Sequence, residues 1–288
     1  MLMMSNGQQQ TLDWDNGSES GSRMSLSSLA HKAEVLEQRR LRRDLVDATG
    51  RFAFVLHFQP RVSLGSGRPT GAEALIRWPH RRRGTVSPRE FIPLAEATGL
   101  AVPIGGWVLE TACAEAVTWP DTAVLSVNVS AGQLADDVLL GQVAAALELS
   151  ALPAERLELE LTERTLIDMG TETLLTLSAI RDLGVGLALD DFGTGFASLA
   201  LLKRLPLTAM KLDRTLVRAL PGDREDAAIV RAVIATGHAL GLSVVAEGIE
   251  TEGQRAFLAG CGCDEGQGHL FSQPVPAEQV RPRLLGDA

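Results

Sequence analysis

From Ala123 onward, short apolar runs alternate with longer amphipathic ones, and most of the short runs end in an acid, an amide or an amine. Ala123–Val129, Leu157–Leu161, Gly186–Leu189, Ala209–Leu212 and Ser243–Ala246 have the length and composition of buried strands. Between them, Leu174, Leu177, Ile180 and Leu183 share one helical face, as do Ile229, Val230, Val233, Ile234 and Leu240. Phe52–Phe58 and Thr70–Arg77 read as two earlier strands. Ser87-Pro88-Arg89-Glu90 then opens a helix with a capping box and a first-turn proline, and Gly99 closes it. Alternation of this kind implies parallel βαβ units covered by helices, an α/β class whose best fit is a closed (β/α) barrel. A doubly wound open sheet fits less well, because no Gly-rich nucleotide turn follows the first strand.

The 288 residues, 45% apolar and 22% charged, suffice for one large domain. Residues 1–28 are rich in Ser, Gly, Asn and Gln and are expected to be a disordered tail. Residues 29–50 read as a short basic helix carrying Arg39, Arg40, Arg42 and Arg43, better taken as a solvated lead into the domain than as an anion site. Residues 51–288 then form the barrel. A net charge of −9 argues against a nucleic-acid polymer or an acidic membrane as partner. Cys113, Cys261 and Cys263 have neither disulfide-framework nor zinc-site spacing, and the last two read as small packed residues. No signal pattern opens the chain and no apolar run approaches the roughly 18 residues of a membrane span. A soluble, cytoplasmic protein is expected.

The polar residues at the strand ends carry the chemistry. Asn128 ends SVNVS, Glu160 lies near the end of LELEL, and Asp190-Asp191 follow LAL. Lys211 and Asp213 lie in AMKLD, Glu247 follows VVA, and Glu73 sits among apolar neighbours in GAEALIR. In a barrel of parallel strands these ends converge on one face, where barrel active sites are built. Each residue alone has a bland reading: a helix cap, a rim salt bridge, a surface lysine. Together they do not, because two carboxylates 4 Å apart repel by roughly 1 to 4 kcal/mol and something must compensate the set. The oxygen donors Glu73, Asn128, Glu160, Asp190 and Asp191 favour Mg²⁺, Mn²⁺ or Ca²⁺ over zinc or copper. With a lysine nearby and no Ser or Cys nucleophile pattern, this points to phosphoester hydrolysis by metal-activated water. The spacing also allows a second cation, shared through Asp190 and held by Asp191.

Several segments together resemble an EAL domain: FQP (Phe58–Pro60), AEALIRW (Ala72–Trp78), SPREFIPLAEATGL (Ser87–Leu100), SVNVS (Ser126–Ser130) and ELTE (Glu160–Glu163). LDDFGTG (Leu189–Gly195), MKLD (Met210–Asp213), VVAEGIE (Val244–Glu250) and CDEGQGHLFSQP (Cys263–Pro274) extend the likeness in the family's order, from roughly Leu41 to Pro276. The resemblance implies a bacterial phosphodiesterase that opens cyclic di-GMP to linear pGpG on a modified (β/α)8 TIM-like barrel. It assigns Glu73, Asn128, Glu160 and Asp190 to a first metal and Asp191 to a second. Lys211 and Glu247 correspond to the pair that orients and polarises water, and Gln267 to the site's late glutamine. Gln59, the Leu75 backbone region, Arg77 and Asp213 fall on the substrate side. Glu163 and Glu250 correspond to acids that brace the loop Phe192–Ser198, through which a homodimer is expected. Two Mg²⁺ or Mn²⁺ ions per site are implied, with Ca²⁺ inhibitory. The departures are peripheral: Gln267-Gly268-His269 replaces the usual QGY, Phe196 follows the GTG loop, Gly132 and Gln273 stand where basic residues are frequent, and His80–Arg83 is unusually basic. A catalytically silent cyclic di-GMP receptor or protein-interaction module with an EAL fold is the alternative. A glycerol-diester barrel fits worse, since His31, His57, His80, His238 and His269 form no pair at strand ends.

Overall fold

Strand β1 (Val55–Ser63) runs antiparallel to β2 (Pro69–His80), and that pairing closes the sheet on itself. In the computed structural model, which describes residues 26–135, 138–166, 170–193 and 202–286, β2 continues into a short hairpin with β3 (Gly84–Val86). After it come α1's successors in the chain: α1 itself is Leu26–Thr49, followed beyond β3 by α2 (Pro88–Ala97) and α3 (Ala101–Ala116). The parallel series is β4 (Val124–Asn128), β5 (Leu157–Thr162), β6 (Gly186–Phe192), β7 (Ala209–Leu212), β8 (Ser243–Ala246) and β9 (Glu265–Gln267). Its connections carry α4 (Ala131–Ala135), α5 (Val138–Ser150), α6 (Thr171–Asp182), α7 (Arg214–Val217), α8 (Arg224–Ala239) and α9 (Glu252–Gly260). A two-residue strand β10 (Val275–Pro276) and helix α10 (Ala277–Leu285) end the described chain.

Among the described residues the sheet order is β10-β1-β9-β8-β7-β6-β5-β4-β2-β3, with β1 also paired to β2. Eight of these strands therefore form a closed α/β barrel, with β10 and β3 as appendages. β1 is antiparallel to both β2 and β9, so the expectation of parallel strands throughout is corrected at that one strand.

Period-two alternation builds the walls. In β5, Leu157, Leu159 and Leu161 are fully buried on the helix-facing side, while Glu158 and Glu160 point into the lumen. Each such leucine contributes about 1.5–3 kcal/mol by leaving water. Phe54, Trp78, Phe91 and Trp107 form an aromatic cluster with ring centroids 5.6–6.2 Å apart.

Local expectations change in three places. β1 begins at Val55, and Phe52 adopts φ +46 in a turn, so the aromatic start of FAFVLHF serves packing and not pairing. Ser87 is the N-cap of α2 but makes no side-chain cap bond; Glu90 accepts from Arg83 Nη1 at 2.7 Å instead, while Pro88 and the left-handed Gly99 (φ +71) stand as expected. Leu177, Ile180, Val230 and Ile234 are buried, but Leu183 and Ile229 are 43% and 46% exposed. Leu183 lies at the C-cap of α6, and Ile229 is rotated 100° from its neighbour Val230, so neither keeps phase with the buried stripe.

The chain divides into Met1–Arg43 and a compact unit Asp44–Ala288. The described part of the first is helical, beginning at Leu26 and not after Ser28, and Arg39, Arg40, Arg42 and Arg43 are exposed. The rest of the expected disordered tail lies outside the described residues. Among those described, no helix is long and apolar enough to cross a membrane.

Candidate active site

Lys211 is the centre of the barrel mouth. β7 projects it into the lumen, where it has no exposed surface, and four carboxylates, three from β2, β5 and β6 and one just after β8, surround its ammonium. Nζ lies 2.6 Å from Glu247 Oε1, 2.7 Å from Glu160 Oε1, 3.5 Å from Glu73 Oε2 and 3.7 Å from Asp190 Oδ1. Amides hold the next ring. Asn128 Nδ2 donates to Glu73 Oε1 at 2.7 Å, and Gln267 Nε2 donates to Glu73 Oε2 at 2.6 Å and Gln59 Oε1 at 3.0 Å. Gln59 in turn donates to the Ser272 carbonyl at 3.1 Å. Register staggers the inward residues along the sheet: Glu73 stands beside Ser126, Asn128 beside Glu160, and Thr162 beside Asp190, and the strand tilt of a closed barrel brings these staggered positions together around Lys211.

One ammonium among four acids leaves an excess of negative charge, and the carboxyl groups show it. Burial raises Glu160 well above the ordinary carboxylate range, aided by Glu73 and only partly offset by Lys211. Burial likewise raises Asp190 against the pull of Lys211, and pushes Glu247 up to about 8 and Asp191 to about 6. Glu73 goes the other way: burial would raise it, but Lys211 and the amides of Gln267 and Asn128 outweigh that and hold it low. Lys211 stays charged because the surrounding acids overcome its desolvation.

The donor chemistry fits a hard divalent cation. Glu160 is fully buried with Oε1 ion-paired to Lys211 at 2.7 Å, and neither of its oxygens has a well-formed hydrogen bond, a state that a divalent cation would relieve. The donors are not pre-assembled, however. Among the described residues no three His, Cys, Asp or Glu side chains are grouped to hold an ion, because Glu73 is engaged by amides and Lys211 occupies the compensating position.

A cavity of about 270 Å³ opens above this cluster. Of the residues expected from sequence, Gln59, Glu73, Leu75, Asp190, Glu247, Glu250 and Gln267 line it. Glu160 and Lys211 are fully buried behind that wall, whereas Asn128, at the end of β4, is exposed. Asp191, at φ +57, lies in the irregular last part of β6, where the register with β7 shifts, in a left-handed conformation that Asp tolerates better than most. Arg77 does not line the cavity; its Nη1 donates to the Ile76 carbonyl at 3.0 Å. Asp213 does not line it either, and caps α7 by accepting from Thr215 N at 2.9 Å. Glu163 accepts from the Gly193 N–H at 3.1 Å, the start of the loop it was expected to brace. Residues 194–201, with most of that loop and the expected dimer contact, lie outside the described residues.

Sequence reasoning missed Arg214, Gly248 and His269 as lining residues. The pairing of the first two was not visible from spacing: a Cβ at Gly248 (φ +68) would lie 2.4 Å from Arg214 Cβ, so glycine there admits the arginine. It also missed a second buried polar layer formed by Arg61, Ser126, Glu158 and Glu265.

A profile of the EAL domain matches residues 39–274. The bifunctional diguanylate cyclase/cyclic di-GMP phosphodiesterase MucR of Pseudomonas aeruginosa is 44% identical over 252 residues, 86% of this chain and 37% of that protein. Cyclic di-GMP phosphodiesterase NbdA of the same organism is 43% identical over 225 residues, 77% of this chain and 29% of that one. A solved structure of the PaMucR phosphodiesterase in complex with c-di-GMP is 44% identical with a TM-score of 0.79, covering 84% of this chain and 99% of that one. The chain spans well under half the length of either curated relative.

Proposed function

This chain belongs to the EAL-domain family, and from that premise we propose that it hydrolyses cyclic di-GMP to linear pGpG with two Mg²⁺ or Mn²⁺ ions at the barrel mouth. The observation that carries the proposal is the convergence of Glu73, Glu160, Asp190 and Glu247 on the single buried ammonium of Lys211, an excess of carboxylates behind an open cavity. Divalent-metal dependence is general in the family. Glu73, Asn128, Glu160 and Asp190 are the residues that would hold the first ion and Asp191 the second, and such ions when bound supply Lewis acidity at phosphate and acidify water.

The remaining work falls to the chain itself. Lys211 and Glu247, 2.6 Å apart, orient the attacking water, and the Glu247 carboxylate takes its proton. Lys211 then faces the negative charge that builds on the phosphate in a water-poor site, where a fixed cation is worth more than in bulk. Gln267 fixes the Glu73 carboxylate, Gln59 and the Leu75 backbone region line the cavity where a guanine would sit, and Arg77 must leave the Ile76 carbonyl to reach a phosphate. Glu163 and Glu250 brace the loop after Asp191, which carries the homodimer contact.

The test is turnover of cyclic di-GMP by purified protein with Mg²⁺ and with Mn²⁺, followed by chromatography of products. Appearance of pGpG supports the proposal. No linear product at micromolar enzyme with either metal overturns it, and tight binding without turnover would then favour a receptor.

A further inference from the structure

Directly beneath the mouth lies a second buried polar layer, offset from the first by one strand repeat. Arg61 on β1, Ser126 on β4, Glu158 on β5 and Glu265 on β9 each stand two residues from a mouth residue on the same strand: Gln59, Asn128, Glu160 and Gln267. Two residues return to the same face of a strand and advance it by about 7 Å, so the lower layer underlies the upper one strand by strand. Arg61 is 2% exposed. Its Nη1 lies 2.5 Å from Glu158 Oε1 and its Nε 3.3 Å from Glu265 Oε2, while Ser126 Oγ donates to the same Glu158 oxygen at 3.0 Å. β1 and β5 are not neighbours; β2 and β4 stand between them, so the guanidinium spans the lumen. Two residues before Asp190 and Lys211, β6 and β7 carry the small buried residues Ala188 and Ala209, which leave room for it.

We infer that Arg61 is a positioning residue: it ties β5 to β9 across the lumen and so sets the spacing of Glu160 and Gln267, on which the arrangement of Glu73 and Lys211 depends. The inference rests on reading the mouth as a metal-dependent catalytic site. A buried ion pair adds little net stability over well-packed apolar residues of similar size, so stability alone gives no reason for three charged side chains here. Fixed geometry does, since the planar guanidinium donates to Glu158 through Nη1 while its rigid frame holds Nε against the Glu265 carboxylate as an ion pair at 3.3 Å, without a hydrogen bond.

The experiment compares the wild type with a neutralised set, Arg61→Met with Glu158→Gln and Glu265→Gln, and with Arg61→Lys alone. Mn²⁺ affinity is measured by titration calorimetry, kcat and KM separately, and folding by circular dichroism. The neutralised set is expected to fold yet to lose Mn²⁺ affinity and kcat by about 10- to 100-fold, the usual cost of removing an outer support of a metal site, with KM nearly unchanged. Arg61→Lys keeps the charge but not the fork and is expected to show smaller losses of the same kind. A folded neutralised set with wild-type Mn²⁺ affinity and kcat overturns the inference. Should that set not fold, Arg61→Lys decides alone: wild-type values overturn it and losses support it. If the wild type binds Mn²⁺ without turnover, the proposed hydrolysis fails while the Mn²⁺ affinities of the same variants still judge Arg61. A wild type that neither binds Mn²⁺ nor turns over overturns both.

Discussion

Glu160 and Lys211 define the energetics of the mouth residue by residue. Four carboxylates share one ammonium, so without a cation the balance is met by protons, which is why Glu160 and Asp190 are raised and Glu247 reaches about 8. A divalent ion must displace those protons. Mn²⁺ affinity should therefore climb between pH 6 and pH 8, by up to about tenfold per pH unit for each proton released. Calorimetry in buffers of different ionisation enthalpy would count the protons, and an affinity flat over that range would contradict the shifted carboxyls. Stability has the opposite sign. Glu247 holds a proton in the folded state from its ordinary value near 4.5 up to about 8, whereas the unfolded chain has already lost it. The metal-free protein should thus melt lower at pH 8 than at pH 6, and Mn²⁺ should reverse the order. Glu160→Gln separates the two roles further. In the metal-free protein the raised Glu160 carboxyl already favours its protonated form, so the neutral amide should leave the metal-free melting temperature nearly unchanged. Mn²⁺ affinity and kcat/KM should fall by at least about 100-fold, since loss of an outer support alone costs 10- to 100-fold. An unaffected variant would remove Glu160 from the metal shell.

At the level of single elements, two helices with cap-like sequences behave differently. Thr251 caps α9 through Gln254 N, and Gln254 Oε1 returns to the Thr251 N–H at 2.9 Å, completing a capping box. Ser87 begins α2 without any such bond. Thr251→Ala should cost about 1 kcal/mol and Ser87→Ala much less, read as chemical-denaturation midpoints at constant slope. Equal losses would mean the caps are not what distinguishes the two helix starts. The contrast also shows where sequence reading reaches its limit. Ser87-Pro88-Arg89-Glu90 has the residue types of a box, but Arg83, seven residues from Glu90, offers its carboxylate a charged donor, and a local pattern does not weigh a tertiary competitor. By the same logic β7 and β8 were legible to the residue, because four-residue apolar runs bounded by turns admit little else. The strand start at Phe52 was misread because aromatic residues favour strands and aromatic clusters alike.

For the molecule as a whole, the sequence pattern disclosed the barrel and the residues at its mouth but not the direction of β1. Strand direction leaves no trace in local hydrophobicity; it shows only in the length of the connection. Residues 64–68 are too few to carry a parallel crossover, which needs a dozen or more residues, so they must be a hairpin. The Arg61 layer was hidden for a related reason: its partners lie 97 and 204 positions away, and only barrel closure brings them together. Closure has an electrostatic consequence as well. The site gathers acids within a chain already at −9, while the proposed substrate carries two phosphate charges, and two divalent ions leave the protein still negative. At about 10 mM ionic strength the screening length is about 30 Å and a dinucleotide feels that field on approach; at 0.1 M it is about 10 Å. With metal saturating, kcat/KM should therefore rise roughly two- to threefold between those conditions, the reverse of an enzyme that steers its anion with a basic cleft. A fall instead would mean that the cations at the mouth dominate the approach, and that Lys211 and the exposed Arg214 govern capture as well as chemistry.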